Sequence, residues 1–119
     1  MKNLLFIFIL APFVACTQQN LSPSETAQIV AESFYSGNND KLKEYTTPTA
    51  YNNFMSIQQM FINDSINTSF EEIQKIEQND IVWIKYSTNH EKRPSVFKLV
   101  QQEGKWRVTD KGIHEKTPF

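Results

Sequence analysis

Cysteine and glycine are scarce in this sequence of 119 residues, which has one cysteine and three glycines. A single cysteine excludes an intrachain disulfide and a zinc site built on cysteines. Three glycines leave little material for a phosphate-binding loop, and neither a P-loop, a dinucleotide fingerprint nor a Gly-x-Ser-x-Gly motif occurs. The two histidines, His90 and His114, have no second ligand at a helical or strand spacing, so we expect no metal and no cofactor.

The sequence also lacks an excess of either charge. Twelve basic and 13 acidic residues give a formal net charge of −1, and the basic residues are scattered singly. Nucleic-acid binding requires a stripe or patch of Lys and Arg, so we expect no nucleic-acid partner. No apolar run approaches the roughly 20 residues that a membrane-spanning helix needs.

The apolar run that does occur lies at the start, where Lys2 is followed by LLFIFILAPFVA from Leu4 to Ala15. This order is typical of a secretory leader. Ordinary signal peptidase prefers a small residue where Phe13 stands. The stretch Phe13-Val14-Ala15-Cys16 instead resembles a bacterial lipobox, with Phe13 where leucine is commonest. The alternative is an incidental cysteine near a cleavage site.

The lipobox resemblance implies that the Cys16 thiol receives a diacylglyceryl group and that the leader is then cut away. We therefore expect a lipoprotein signal peptide over 1–15, a polar tether over 16–22 and a single α+β domain over 23–119. Thr17 stands where an aspartate would favour the inner membrane, and no acid occurs between Cys16 and Glu25. These features favour an outer-membrane anchor that faces the periplasm.

Helices are predicted in the first half of the domain. Ser22-Pro23-Ser24-Glu25 is a capping box with a proline in the first turn, and Gly37 suits a left-handed helix end. The predicted helices run from the cap at Ser22 to about Ser36, from Lys41 to about Tyr45, and over roughly 48–62. Their apolar positions repeat at helical spacing and predict core packing. These positions are Ala27, Val30, Ala31, Phe34, Leu42, Tyr45, Ala50, Phe54, Ile57, Met60 and Phe61.

Four antiparallel strands are predicted near 69–78, 81–88, 95–102 and 105–111, with tight turns at Asn79-Asp80 and Glu103-Gly104. The second turn would pair Leu99 with Val108 and place Phe97, Leu99, Trp106 and Val108 on one face. The second strand has apolar residues on both faces, which predicts a central position in the sheet. The first strand is irregular, because its apolar residues are spaced by three.

Helices followed by a curved four-stranded sheet, behind a lipobox, resemble the small bacterial lipoproteins with cone-shaped nuclear transport factor two-like, or cystatin-like, domains. The segments VAESFYSGNNDKLKEY and VFKLVQQEGKWRV carry this resemblance. It implies an α+β cone with N-terminal helices packed on the sheet. It implies no particular chemistry, since this fold serves enzymes, small-molecule binders and assembly modules alike.

The leading functional hypothesis is a non-catalytic, membrane-anchored domain that binds a small apolar ligand or an envelope protein at the mouth of the cone. Tyr35, Trp83 and Tyr86 are its candidate ligand-binding residues, with core packing as the alternative for these aromatics. We expect no catalytic residues. The segment His90-Glu91-Lys92-Arg93 is predicted to be a solvated loop, or else a partner-binding one, and His114 an exposed residue of the tail.

An isomerase- or hydrolase-like enzyme that acts on a hydrophobic carbonyl compound in the cone cavity is the alternative. The resemblance implies what such an enzyme would need, since isomerases of this superfamily use a tyrosine and two carboxylic acids inside the cone cavity. Any of the four tyrosines could supply the phenol, but Glu71, Glu72, Glu77 and Asp110 are expected at the surface or edge. A structural spacer without a ligand is the third possibility.

Overall fold

A computed structural model describes residues 20–62 and 67–119 of the chain. The predicted leader, Cys16 and the first part of the tether lie outside the described residues. The helices are α1 (Pro23–Ser36), α2 (Asn39–Glu44) and α3 (Pro48–Ile57), and a 3-10 turn follows at Gln58–Met60. The strands are β1 (Phe70–Gln78), β2 (Ile81–Thr88), β3 (Ser95–Gln102) and β4 (Lys105–Thr109). In the described part of the chain, no helix is both long and apolar enough to cross a bilayer.

The first helix begins and ends as its sequence predicts. The Ser22 hydroxyl accepts from the Glu25 backbone N–H at 3.1 Å, and the Glu25 carboxylate accepts from the Ser22 N–H at 2.9 Å, which completes the capping box. Gly37 ends the helix with φ +80°. The second helix starts two residues earlier than predicted, because the Asn38 side chain caps it by accepting from the Lys41 N–H at 3.3 Å.

The third helix is shorter than predicted. It ends at Ile57 instead of near 62, and the chain tightens into the 3-10 turn. There the buried Gln58 amide donates to the Phe34 carbonyl at 3.0 Å and to Asn39 Oδ1 at 2.9 Å, which ties the turn to the end of α1 and the start of α2. Ile57 at the end of α3 and Met60 in the 3-10 turn are exposed, Met60 by 73%, so the prediction that both belong to the core is wrong.

The four strands form one antiparallel sheet in the order β1-β2-β3-β4, which confirms the predicted α+β class and the central position of β2. Leu99 pairs with Val108 as expected. The turn that sets this register has Glu103 and Gly104 at φ +55° and +75°. Positive φ at both central residues is what a tight hairpin turn requires.

The irregular spacing in β1 has a structural cause. The pairing of β1 with β2 shifts between Glu72 and Gln74, so Ile73 is the extra residue of a β-bulge. Phe70 lies before the bulge and packs on the core, whereas Ile73 is exposed. After the bulge, Ile76 pairs with Trp83 and so lies on the opposite face from Phe70, and the three apolar residues therefore do not share one face.

The core lies between the inner face of the sheet and the helices, mainly α1. Its central residues are Ala27, Val30, Ala31, Phe34, Leu42, Val82, Ile84, Leu99 and Val108. The segment before α3 covers the free edge of β4, because the Thr47 N–H donates to the Val108 carbonyl and the Val108 N–H to the Tyr45 carbonyl, both at 2.9 Å. One side of β4 is thereby protected from pairing with another chain.

Candidate functional site

A cavity of ≈ 390 Å³ opens between α1, α3 and the sheet, at the end where β4 finishes. Its walls are mostly apolar, with contributions from Phe34, Phe54, Phe61 and Phe97. Polar side chains enter at two places on its boundary, Tyr35 with Glu91 on one side and Asp110 with Lys111 on another. A concave, largely apolar space with a few polar groups is the usual form of a small-molecule site.

Tyr35 lies in the last turn of α1, where neighbouring residues contact both its ring and its hydroxyl. Its ring stacks on His90 at 4.1 Å between centroids, with an interplanar angle of 11°, and meets Phe34 edge-on at 5.0 Å. Its hydroxyl donates a hydrogen bond to the Glu91 carboxylate. Burial raises the pKa of the Tyr35 phenol above its ordinary value of 10.0, and the hydrogen bond to Glu91 raises it further.

The loop between β2 and β3 supplies the partners of Tyr35, which corrects part of the sequence prediction. Glu91, Lys92 and Arg93 are exposed, as a solvated loop would be. His90 is half-buried instead, and its Nε2 lies 2.9 Å from the Thr68 hydroxyl oxygen. The prediction of a fully solvated loop is therefore wrong for His90, and it missed the role of Glu91 at the cavity.

Tyr86 lies on β2 and belongs to an aromatic wall of the cavity. Phe70 stacks on it at 5.1 Å between centroids, and Phe97 packs against it at 4.5 Å. Burial raises the pKa of the Tyr86 phenol above its ordinary value, and the neighbouring Tyr35 adds to the effect. Both cavity tyrosines therefore keep their protons at neutral pH.

Asp110 follows β4 and lines another part of the cavity boundary. The Thr49 hydroxyl donates to Asp110 Oδ1 at 2.6 Å, which joins the start of α3 to the end of the sheet. This hydrogen bond lowers the pKa of the Asp110 carboxyl below its ordinary value. Asp110 is at the surface, as predicted, but its position beside the cavity was not foreseen.

Trp83 does not belong to this site. Val82, Ile84 and Tyr86 point toward the helices, and side chains alternate along a strand, so Trp83 lies on the opposite face of the sheet. It is 3% exposed, and Lys98 Nζ lies 5.6 Å from its ring centroid. The structure therefore brings Tyr35 and Tyr86 together at the cavity and corrects the grouping of Trp83 with them.

No metal site is apparent in the part of the chain that the structure describes. Among residues 20–62 and 67–119, no three His, Cys, Asp or Glu side chains lie close enough together to hold a metal ion. His114 is exposed in the C-terminal tail, as predicted. The polar residues that line the cavity supply phenols, carboxylates, the hydroxyls of Ser95 and Thr109, the Asn53 amide and the Lys111 ammonium group.

Comparison with solved structures identifies the architecture. The chain is similar to a Campylobacter jejuni protein, provisionally described as an NTF2-like transpeptidase, whose crystal structure was determined at 2.00 Å resolution. The TM-score is 0.62 at 15% sequence identity, and the match covers 76% of this chain and 100% of that one. No protein-family model and no curated protein matches the chain.

This similarity shows the fold, which is NTF2-like: helices packed against a curved four-stranded antiparallel sheet. The cone architecture that the sequence predicted is thereby confirmed. Transpeptidase is the description of the Campylobacter protein, and an identity of 15% transfers the fold alone.

Proposed function

We propose that this protein is a membrane-anchored, non-catalytic lipoprotein whose NTF2-like domain binds a small, mainly apolar ligand in the cavity beside Tyr35. The observation that supports this most strongly is the cavity itself. Its volume of ≈ 390 Å³ lies within the range of about 300–1,000 Å³ that is typical of small-molecule sites.

The arrangement of polar groups indicates what the ligand carries. The Tyr35 hydroxyl donates a hydrogen bond to Glu91, so its oxygen remains available as an acceptor, and the Glu91 carboxylate has further acceptor capacity. A ligand with an apolar body and a hydroxyl or amine donor at one end fits this arrangement. An anionic end would meet the Glu91 and Asp110 carboxylates at the boundary, while the Lys111 ammonium group there already donates to the backbone carbonyls of Gly112 and Glu115, so such an end is disfavoured.

The first experiment tests the cavity with an uncharged apolar dye, N-phenyl-1-naphthylamine, whose fluorescence rises in apolar surroundings. Asn53 and Ser56 are both exposed residues of α3, but Asn53 lines the cavity and Ser56 does not. Asn53→Trp is expected to block the entrance and abolish the fluorescence rise, whereas Ser56→Trp is the matched control and keeps it. Equal dye binding by both variants would contradict the proposal.

The second part of the proposal is the anchor. The lipobox resemblance supports it, and Cys16 would carry the lipid. Each buried methylene contributes about 0.8 kcal/mol, so two or three acyl chains would hold the protein firmly. Cys16→Ser is expected to move the chain from the washed membrane fraction to the soluble fraction. Mass spectrometry that found a free Cys16 thiol in the native product would refute the anchor.

The enzymatic alternative finds less support in the cavity. Proton transfer needs groups whose pKa values lie near neutral pH. The Tyr35 phenol has a raised pKa and already donates to Glu91, and Asp110 has a lowered pKa beside Thr49. These shifts move the phenol and Asp110 away from the range that an acid–base pair requires. Binding without chemistry therefore agrees better with the geometry.

A further inference from the structure

A second, smaller pocket lies away from the Tyr35 cavity, where α2, the start of α3 and β4 meet. Its volume is ≈ 280 Å³, and its lining residues are Lys43, Thr46, Pro48, Tyr51, Asn52 and Arg107. The lining includes two cations and no carboxylate. Arg107 alternates along β4 with Trp106 and Val108, which pack on the core, so it points away from the core.

The Arg107 guanidinium group is largely buried but has few hydrogen-bond and ion-pair partners. Its side chain is only 19% exposed, and its Nε atom is buried without a hydrogen-bond partner among the described residues. Its Nη2 lies 3.5 Å from a carboxylate oxygen of Glu103, whose side chain is 86% exposed. A solvated carboxylate at that distance compensates little of the cost of burying a guanidinium.

Lys43 adds a second positive charge to the same pocket. Its ammonium nitrogen lies 5.9 Å from the centroid of the Tyr51 ring, which holds it near the pocket. Tyr51 and Asn52 contribute a hydroxyl and an amide, both of which can donate hydrogen bonds. The donors and both positive charges therefore favour a negatively charged ligand that accepts hydrogen bonds.

We propose that this pocket binds a small oxyanion, of which a phosphate group is the representative case. A guanidinium presents its N–H donors in a planar fork that matches phosphate oxygens, and the Lys43 ammonium would act as a point charge. The bound anion would accept from the terminal N–H groups of Arg107 and offset its charge, since the buried Nε atom itself is out of reach of a ligand in the pocket. This site is independent of the ligand proposed for the Tyr35 cavity.

The experiment uses the Arg107 Nε–Hε resonance in proton–nitrogen NMR spectra of the chain as purified from cells, in a neutral detergent without phosphate. The chain has two arginines, and the exposed Arg93 is an internal control for unspecific ionic effects. Sodium phosphate is titrated against sodium chloride at matched ionic strength. We expect a saturable shift of the Arg107 signal with phosphate and little change at Arg93.

Three variants show whether the pocket residues cause this shift. Arg107→Gln lacks the Arg107 signal, so its phosphate binding is followed at the side-chain amide signal of Asn52, which also lines the pocket. We expect this variant to bind phosphate more than about tenfold more weakly, since it removes charge-assisted hydrogen bonds. Lys43→Gln, at an exposed position, is expected to weaken it about two- to fivefold and serves if Arg107→Gln does not fold. Lys105→Gln is the matched control, because Lys105 lies on the same strand but pairs with Glu44 at 3.2 Å outside the pocket.

A parallel titration with phosphatidylglycerol in the same detergent distinguishes a lipid headgroup from a free phosphate compound as the source of the oxyanion. A shift of the Arg107 signal that Lys43→Gln weakens and Lys105→Gln does not supports the site. The ligand that causes the shift, phosphate or phosphatidylglycerol, identifies the source of the oxyanion. A shift with neither ligand overturns the proposal. The same shift with chloride, or equal weakening by Lys43→Gln and Lys105→Gln, overturns it as well.

Discussion

Alkaline pH is expected to destabilise the protein through Tyr35 and Tyr86, which are 4% and 6% exposed. Both phenols have a pKa raised above 10.0 by burial. In the unfolded chain they would lose their protons near the ordinary pKa. The unfolded state then binds fewer protons than the folded state, so the free energy of unfolding falls as the pH rises above about 10.

The size of this effect follows from the linkage relation. A tyrosine that titrates near pH 10 when unfolded and stays protonated when folded loses about 1–2 kcal/mol of stabilisation between about pH 10 and 11.5. The two tyrosines together therefore account for a loss of about 3 kcal/mol. This is a large part of the stability of a small domain, which is typically about 5–15 kcal/mol.

Urea unfolding at several pH values, followed by tryptophan fluorescence, measures this loss. Tyr35→Phe and Tyr86→Phe should each reduce it by about 1–2 kcal/mol, and the double variant by about twice that. The comparison with wild type cancels the titration of the lysines, which the variants share. If Tyr35→Phe and wild type lost the same free energy over this pH range, the assignment of a raised pKa to Tyr35 would be refuted.

Three further predictions can be checked by urea unfolding. Leu42→Ala, at a fully buried position, should cost about 2–5 kcal/mol, whereas Ile113→Ala in the exposed tail should change stability by less than about 0.5 kcal/mol. Gly37→Ala should cost about 1–2 kcal/mol, because φ is +80° there, and a cost near zero would contradict the left-handed helix end. Thr49→Ala removes the hydrogen bond that lowers the Asp110 pKa, so the variant should have a lower free energy of unfolding than wild type at neutral pH, and this difference should vanish as the pH falls below 3.8. A difference that does not depend on pH would show that this hydrogen bond is not its cause.

Most of the fold follows from local signals in the sequence. The capping box at Ser22–Glu25 and the turn at Glu103-Gly104 each fix a boundary through neighbouring residues, and the predicted pairing of Leu99 with Val108 is confirmed. The bulge at Ile73 was visible only as irregular spacing, because an inserted residue cannot be told from a misplaced strand without its partner. The early end of α3 depends on bonds from Gln58 to distant residues, which no local pattern reveals.

The candidate site was less predictable, for a similar reason. Tyr35 and Glu91 are far apart in sequence, and an exposed loop carboxylate carries no local sign that it will accept from a buried phenol. The position of Trp83 could have been predicted from the sequence, since alternation along β2 places it on the other face of the sheet from Tyr86. The Arg107 pocket combines residues of three elements, and only the structure shows that the Arg107 Nε atom is buried without a hydrogen-bond partner among the described residues.

Native mass spectrometry of the protein isolated from envelopes in neutral detergent tests the central claim, a ligand in the Tyr35 cavity, most directly. We expect a non-covalent adduct of a small molecule on wild type and on Ser56→Trp, and its loss from Asn53→Trp. Wild-type protein that carries no such adduct, or an adduct that persists unchanged in Asn53→Trp, would contradict the claim.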